Sequence, residues 1–266
     1  MIDSADAALV LRTHAAQDEG IVTLTLNRGA RFNPLSMEMI AALHGHIDLL
    51  ARDRSTRVVV LAGAGRGFCA GHDLKEMRAN SADESWGKKL FDDCSRMMLA
   101  LTRLPQPVIA KVHGIATAAG CQLVSMCDLA VAASDAVFAL PGVNVGVFCS
   151  TPAVGVARNL GRKRALEMLF TGETITADTA LQWGLINRAV TAAELDAEVT
   201  KFAAMIASKS PAVLALGKAA FYRQIEEGMQ DAYEGTGAAM ACNLGLPDAA
   251  EGMDSFIGKR KPQWKT

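Results

Sequence analysis

A chain of 266 residues, half of them apolar, can bury its own core without disulfide or metal staples, and suits one α/β-sized unit with a smaller helical appendage. Lys and Arg number 27 against 28 Asp and Glu, so no overall field recruits nucleic acid or an anionic membrane; small molecules and other proteins are the default partners. The six cysteines, Cys69, Cys94, Cys121, Cys127, Cys149 and Cys242, include no CxxC pair or metal-type cluster, which suits buried, reduced thiols in a reducing compartment.

Asp3 and Asp6 precede the first arginine, Arg12, and no basic region leads into an apolar block, so a cytoplasmic protein without signal or transit peptide is expected. Ile21 to Leu26 alternates β-branched and apolar residues and closes at Asn27-Arg28-Gly29, as a strand and turn do. After Pro34, Ser36 is placed to cap a helix whose buried stripe is Ile40, Leu43, Ile47 and Leu50. Val58 to Leu61 is a continuous apolar strand. Val108 to Val112 repeats that pattern, followed by a helix over Ala118 to Cys127 and a strand over Leu129 to Ala132. This alternation implies an α/β core.

The charge-free stretch from Ala136 to Ala157 has the length of a membrane span, but Pro141, Gly142, Gly146, Pro152 and Gly155 interrupt it, so a buried, loop-rich core segment is expected. Beyond Arg162 helices take over: Lys163 to Phe170, Ala177 to Trp183, Ala192 to Ala207, Pro211 to Glu226 and a last one ending near Gly258, with Ile186 to Val190 the one extended stretch. With no low-complexity linker, a single folding unit is expected.

Two loops invite chemistry. Gly63 to Met77, GAGRGFCAGHDLKEM, is rich in glycine, but the dinucleotide spacing would require glycine at Phe68 and the Walker lysine is absent. Asp73 is placed to cap a short helix, with Glu76 closing a capping box, which leaves the His72 amide free to face a cleft after the tight turn at Gly71; an ordinary turn before a helix fits equally. Gly114 to Gly120 carries only small side chains except Ile115, so a ligand can approach backbone there. The amide of Ala119, in the first turn of the next helix, lacks an intrahelical acceptor; Thr117 as the helix cap and tight helix packing are the alternatives. His44, His46 and His113 form no metal set, since His44 and His46 lie on different helix faces.

Together these loops resemble the crotonase, or enoyl-CoA hydratase/isomerase, family. FCAGHDLKEM (Phe68 to Met77) is similar to its first oxyanion loop and HGIATAAGCQLVSMCDLAVA (His113 to Ala132) to its second. GRKRALEMLFTGETITADTALQWGLINRAV (Gly161 to Val190) matches its helical return, and FIGKRKPQW (Phe256 to Trp264) its C-terminal end. The resemblance implies a ββα spiral core over 1–190 and a C-terminal helical oligomerisation region over 191–266, assembled as a homotrimer or hexamer. It also implies an acyl-CoA thioester held by the backbone amides of His72 and Ala119, each donor being worth roughly 10²–10³ in rate. Arg28, Ala70, Asp73, Leu74, Lys259 and Arg260 are the expected CoA contacts, the last two acting from this chain or from a neighbouring subunit; no cofactor is expected beyond coenzyme A as part of the substrate.

The resemblance breaks where hydratases carry two glutamates, because Gln122 and Gly142 stand at those positions. Neither an amide nor a glycine titrates near neutral pH, and losing positioned acid–base help costs typically about 10²–10⁴-fold. A third acidic position used by some relatives aligns with Ser150. Cys149 and Ser150 are candidates to face the acyl group as nucleophile or proton donor, with no evident base beside them in sequence. His72 is expected to titrate near neutral pH. Its GHD triplet resembles the malonyl-type decarboxylases of the family, whose tyrosine in the following loop is replaced by Cys149. Three readings therefore stand: an acyl-CoA-binding homologue with doubtful hydratase activity, a decarboxylase using His72, and a non-catalytic acyl-CoA-binding scaffold.

Overall fold

The computed structural model describes residues 8–15 and 18–265; Asp3 and Asp6 lie outside them. In chain order the strands are β1 (Val10–Ala15), β2 (Asp18–Leu26), β3 (Val58–Gly63), β4 (Val108–Val112), β5 (Ile115–Thr117), β6 (Leu129–Ala133), β7 (Val137–Ala139), β8 (Thr174–Thr176) and β9 (Arg188–Val190). The helices of the first half are α1 (Met37–Arg52), α2 (Leu74–Ala79), α3 (Glu84–Arg103), α4 (Ala119–Met126) and α5 (Ser150–Asn159). Those of the second half are α6 (Arg162–Thr171), α7 (Ala177–Trp183), α8 (Leu195–Ala207), α9 (Pro211–Gln224), α10 (Met229–Leu244) and α11 (Pro247–Ile257).

Six strands form one sheet in the order β1-β2-β3-β4-β6-β9, parallel throughout except at the β1–β2 pair. A second sheet, β5-β7-β8, pairs β5 with β7 in parallel and β7 with β8 antiparallel. The continuous apolar run of β3 follows from burial on both faces: Val59 and Leu61 join the core beneath α1 and α3, while Val58 and Val60 pack with Val199 and Ala203 of α8. The sequence-predicted stripe of α1 is buried, and the Ser36 hydroxyl accepts the Met39 amide as its cap.

Several expectations need correction. The short helix α2 is capped by Asp73, but Glu76 does not close the box; its Oε2 accepts the Met37 N–H at 3.0 Å, tying α2 to the start of α1. The predicted helix over Ala192 to Ala207 begins only at Leu195, because the Thr191–Glu194 turn precedes it; the last predicted helix ends before Gly258 as expected, but it starts at Pro247, and α10, separated from it at Gly245, was not anticipated. The extended stretch from Ile186 is a strand only from Arg188. Ala136 to Ala157 is not a buried loop: it holds β7, a 3₁₀ turn over Pro141–Val145 and the start of α5, and its Val145, Val147 and Phe148 are exposed. Of the six cysteines Cys242 is exposed. Among the described residues no single helix is long and apolar enough to cross a membrane.

Candidate active site

The loop after β3 and the segment from β5 into α4 are joined backbone to backbone. Cys69 N–H donates to Ile115 O at 3.1 Å, Thr117 N–H donates to Cys69 O at 3.0 Å, and Thr117 Oγ1 donates to Ala70 O at 3.1 Å. Thr117 is therefore spent on the loop pair and does not cap α4, whose N-cap is Ala118 with no side-chain hydrogen bond. Gly120 makes this approach possible, since a Cβ there would stand 2.1 Å from Cys69 O.

The pairing brings two backbone amides to one place. Gly71 has φ +93°, and a Cβ on it would lie 3.2 Å from Ala119 N, so the peptide leading into His72 lies beside the Ala119 amide. Ala118 is held at φ 49° and ψ −119°, a conformation that costs a non-glycine residue on the order of 1–3 kcal/mol. It is fixed by its N–H to Ala139 O at 2.9 Å and by Gln122 N–H to its own carbonyl at 3.0 Å. Neither the His72 nor the Ala119 N–H donates to an acceptor among the described residues.

Beside these amides lies a cavity of about 490 Å³. Its walls come from the loop after β3 (Ala70, His72), from α2 and α3 (Leu74, Met77, Phe91), from the start of α4 (Ala118, Ala119) and from the 141–152 segment that leads into α5. Val147 and Phe148 make much of the last wall apolar, and no Asp, Glu, Lys or Arg is among the lining residues. Two lining residues titrate, His72 and Cys149.

Both are held neutral. The Nδ1 of His72 faces Leu35 O at 3.2 Å, which as a carbonyl only accepts, so the proton sits on Nδ1. Its Nε2 is buried without a partner, the ring stands edge-on to Phe91, and burial pushes its pKa below the ordinary imidazole value. The expected titration of His72 near neutral pH is thereby corrected downward. Burial raises the Cys149 thiol above its usual pKa, which keeps it protonated and removes the activated nucleophile considered from sequence. Ser150 lines the cavity with its Oγ turned weakly to Phe148 O at 3.5 Å and no base beside it.

The two glutamate positions fare differently. Gly142 lines the cavity, but a Cβ there would lie 2.3 Å from Val147 O and 2.8 Å from Cys149 Sγ, so this backbone has no room for a side chain. Gln122 is buried on α4, with Oε1 lacking a partner. Of the expected CoA contacts, Ala70 and Leu74 line the cavity. Asp73 is engaged in capping α2 and Arg28 flanks a 3₁₀ turn away from the cavity wall. Lys259 is exposed at the end of α11; Arg260 is committed to a two-pronged pair with Glu251 at 2.6 and 2.9 Å, so it is not a free cation in this chain. Sequence reasoning missed Leu74's neighbours Met77 and Phe91 and the apolar wall at Val145, Val147 and Phe148, which it treated as buried loop.

Two interlocked backbone loops at the carboxyl ends of parallel strands thus place two unpaired amides beside an apolar cavity in a mixed α/β fold. The chain belongs to the enoyl-CoA hydratase/isomerase family, the crotonases, whose family model, described as Enoyl-CoA hydratase/isomerase, matches residues 16–266. It is 45% identical over 252 residues to enoyl-CoA hydratase domain-containing protein 3, mitochondrial, of Mus musculus, covering 95% of this chain and 84% of that protein. A crystal structure of enoyl-CoA hydratase from Mycobacterium smegmatis superposes with TM-score 0.94 at 54% identity, covering 98% of this chain and all (100%) of that one. The human enoyl-CoA hydratase domain-containing protein 3 superposes with TM-score 0.92 at 43% identity, covering 96% of this chain and 100% of that one. These relatives overturn the cytoplasmic expectation, because the Mus musculus protein and its vertebrate counterparts are named mitochondrial. Free cysteines suit any reducing compartment and do not select the cytosol.

Proposed function

We propose that this chain binds acyl-CoA thioesters, holding the thioester oxygen between the amides of His72 and Ala119, and that it hydrates double bonds poorly. One observation carries the reading: two unpaired amides are fixed side by side at a cavity whose lining contains no carboxylate. Fixed donors stabilise charge arriving on a carbonyl oxygen, whereas adding water across a double bond also needs groups that activate water and manage the α-proton. Neutral His72, protonated Cys149, buried Gln122 and side-chain-free Gly142 supply neither. Ala70 and Leu74 are retained as CoA contacts.

Two measurements test it. Butyryl-CoA should bind about tenfold more tightly than its thioether analogue S-butyl-CoA, since the analogue lacks the carbonyl that the amides recognise. Equal affinities would remove the oxyanion reading. On crotonyl-CoA, turnover should lie about 10²-fold or more below that of a glutamate-bearing hydratase; brisk hydration would contradict the argument from missing acids.

A second reading, decarboxylation of malonyl-type thioesters, is favoured by the same pairing of oxyanion donors with an apolar wall. Loss of CO₂ breaks the C–C bond and leaves its electron pair as the enolate, so no strong base is required. CO₂ release from malonyl-CoA that falls in His72→Ala supports it, and tight binding without turnover across acyl-CoAs leaves the protein a binding scaffold. We also propose that the chain assembles as a trimer, or as a hexamer of two trimers, through its C-terminal helices.

A further inference from the structure

Outside the cavity lining, one buried side chain grips the first loop at three points. Asn33 is 0% exposed and its carboxamide is fully engaged: Nδ2 donates to the carbonyls of Ala64, Gly67 and Phe68 at 2.9, 2.9 and 3.0 Å, and Oδ1 accepts the Arg28 N–H at 2.8 Å. Two N–H bonds serve three acceptors, so one proton is shared. The residue sits in the left-handed region at φ 52°, after Phe32 at φ 60°, and asparagine accepts that conformation more readily than most side chains. A Cβ added at Gly63 would stand 2.9 Å from Nδ2, so the loop closes directly onto the amide.

From there the grip passes along consecutive peptides. The peptide between Phe68 and Cys69 is held on both sides, its carbonyl by Asn33 and its N–H by Ile115 O at 3.1 Å. The next has Cys69 O bonded by the Thr117 N–H at 3.0 Å and the Ala70 N–H bonded to Phe32 O at 2.9 Å. In the one after, Ala70 O accepts from Thr117 Oγ1 at 3.1 Å and the Gly71 N–H turns to Cys69 Sγ at 3.4 Å. The last is held on one side only, where the Leu35 N–H donates to Gly71 O at 2.8 Å. Carbonyl and N–H of a trans peptide point opposite ways, so this bond turns the His72 N–H away from Leu35 and leaves it unpaired. Phe32 and Leu35 flank Asn33, so the contacts that steer that N–H come from the turn that Asn33 closes.

We propose that Asn33 is a positioning residue for the thioester site: by locking the turn over 28–35 to the loop over 64–72, its carboxamide sets the direction of the His72 amide. It does so from outside, since Asn33 is not among the residues lining the cavity. This rests on the thioester-binding reading above. A general packing role has a different signature. Loss of packing weakens every ligand of the cavity alike, whereas loss of direction at the His72 N–H weakens only ligands that present a carbonyl to it.

Calorimetric titration of Asn33→Asp and Asn33→Gly with butyryl-CoA and S-butyl-CoA separates the two roles. Aspartate keeps the shape and the acceptor for Arg28 but turns an oxygen to the three carbonyls; glycine keeps the left-handed backbone and drops the amide. The wild type's roughly tenfold preference for the thioester should fall to within about twofold in both variants, while S-butyl-CoA affinity stays within about threefold of the wild type. A preference that survives both substitutions overturns the proposal, and so does an equal loss of both ligands. Equal affinities in the wild type itself remove the reading beneath it, and the proposal with it. Where neither variant folds, hydrogen exchange in the unliganded wild type decides. The amides of Cys69 and Ala70 should exchange as slowly as those of β3, and exchange at the rate of an open loop overturns the proposal.

Discussion

A Cβ added at Gly142 would press into Val147 O at 2.3 Å, and backbone cannot step aside as a flexible side-chain tip can. Gly142→Ala is therefore expected to lower stability by about 1–3 kcal/mol in denaturant unfolding, the usual effect of overpacking. Gly142→Glu, alone or with Gln122→Glu, should fail to install brisk crotonyl-CoA hydration, because the 146–149 backbone must first move. A stable double variant with fast hydration would show that the wall yields. At His72 the sign of the pH effect follows from burial, which holds the folded pKa below the ordinary value near 6.5. As pH falls through 6.5 the unfolded chain takes up a proton that the folded chain refuses, so stability drops until the folded pKa is reached and then levels. Urea unfolding at pH 7.5 and 5.5 should show this loss in the wild type and a smaller one in His72→Gln; identical losses would mean that other groups carry it.

Between elements, one ionic cluster fastens α9 to the core. Lys218, only 7% exposed, bonds Asp128 Oδ2 at 2.7 Å and the carbonyls of Leu101 and Gln106 at 3.0 Å each, while Tyr222 OH donates to Asp128 Oδ1 at 2.8 Å. Lys218→Met leaves Asp128 without its cation and should cost about 3–5 kcal/mol, against about 1 kcal/mol for Tyr222→Phe, both measurable by chemical denaturation. Nothing in the sequence announces this cluster, since Lys218 and Asp128 lie 90 residues apart. Local signals were legible where burial is periodic: the stripe Ile40, Leu43, Ile47, Leu50 marks α1, and Asp73 marks the start of α2. The longest helix, α3, went unread although Leu90, Cys94, Met97 and Leu101 repeat at helical spacing after the Asp83 cap. Strand β1 lacks a clear alternation because it is an edge that mixes exposed and buried positions, and the three-residue strands β5, β7 and β8 are too short to show a period. The site divided in the same way. The backbone loops were readable from their small residues, but the fit of Cys149 against Gly142 and the lowered pKa of His72 are products of tertiary contact.

At the scale of the whole molecule the C-terminal helices carry a large exposed apolar surface. Apart from the Lys218 side chain, neither α9 nor α10 buries a residue within this chain, and Met229 (80%), Phe256 (85%) and Ile257 (79%) are open to solvent together with Tyr233 and Met240. An apolar surface of that kind on ordered helices calls for a covering partner. The helices are nonetheless well anchored: α9 by Lys218, and the end of the chain by Trp264 Nε1 donating to Ser208 O at 2.7 Å and by Arg260 with Glu251. An ordered apolar face held in a fixed place suits a symmetric assembly better than a mobile lid. Sedimentation of the wild type should therefore give a trimer or hexamer. Phe256→Asp with Ile257→Asp should shift the population to smaller species, because two buried carboxylates at an interface core have no cation opposite. Amide exchange should then speed up in α9 and α10 while β2, β3 and β4 stay protected, since those strands draw their burial from within one chain. A wild-type chain that sediments as a stable monomer would refute the assembly and leave the exposed face without a partner.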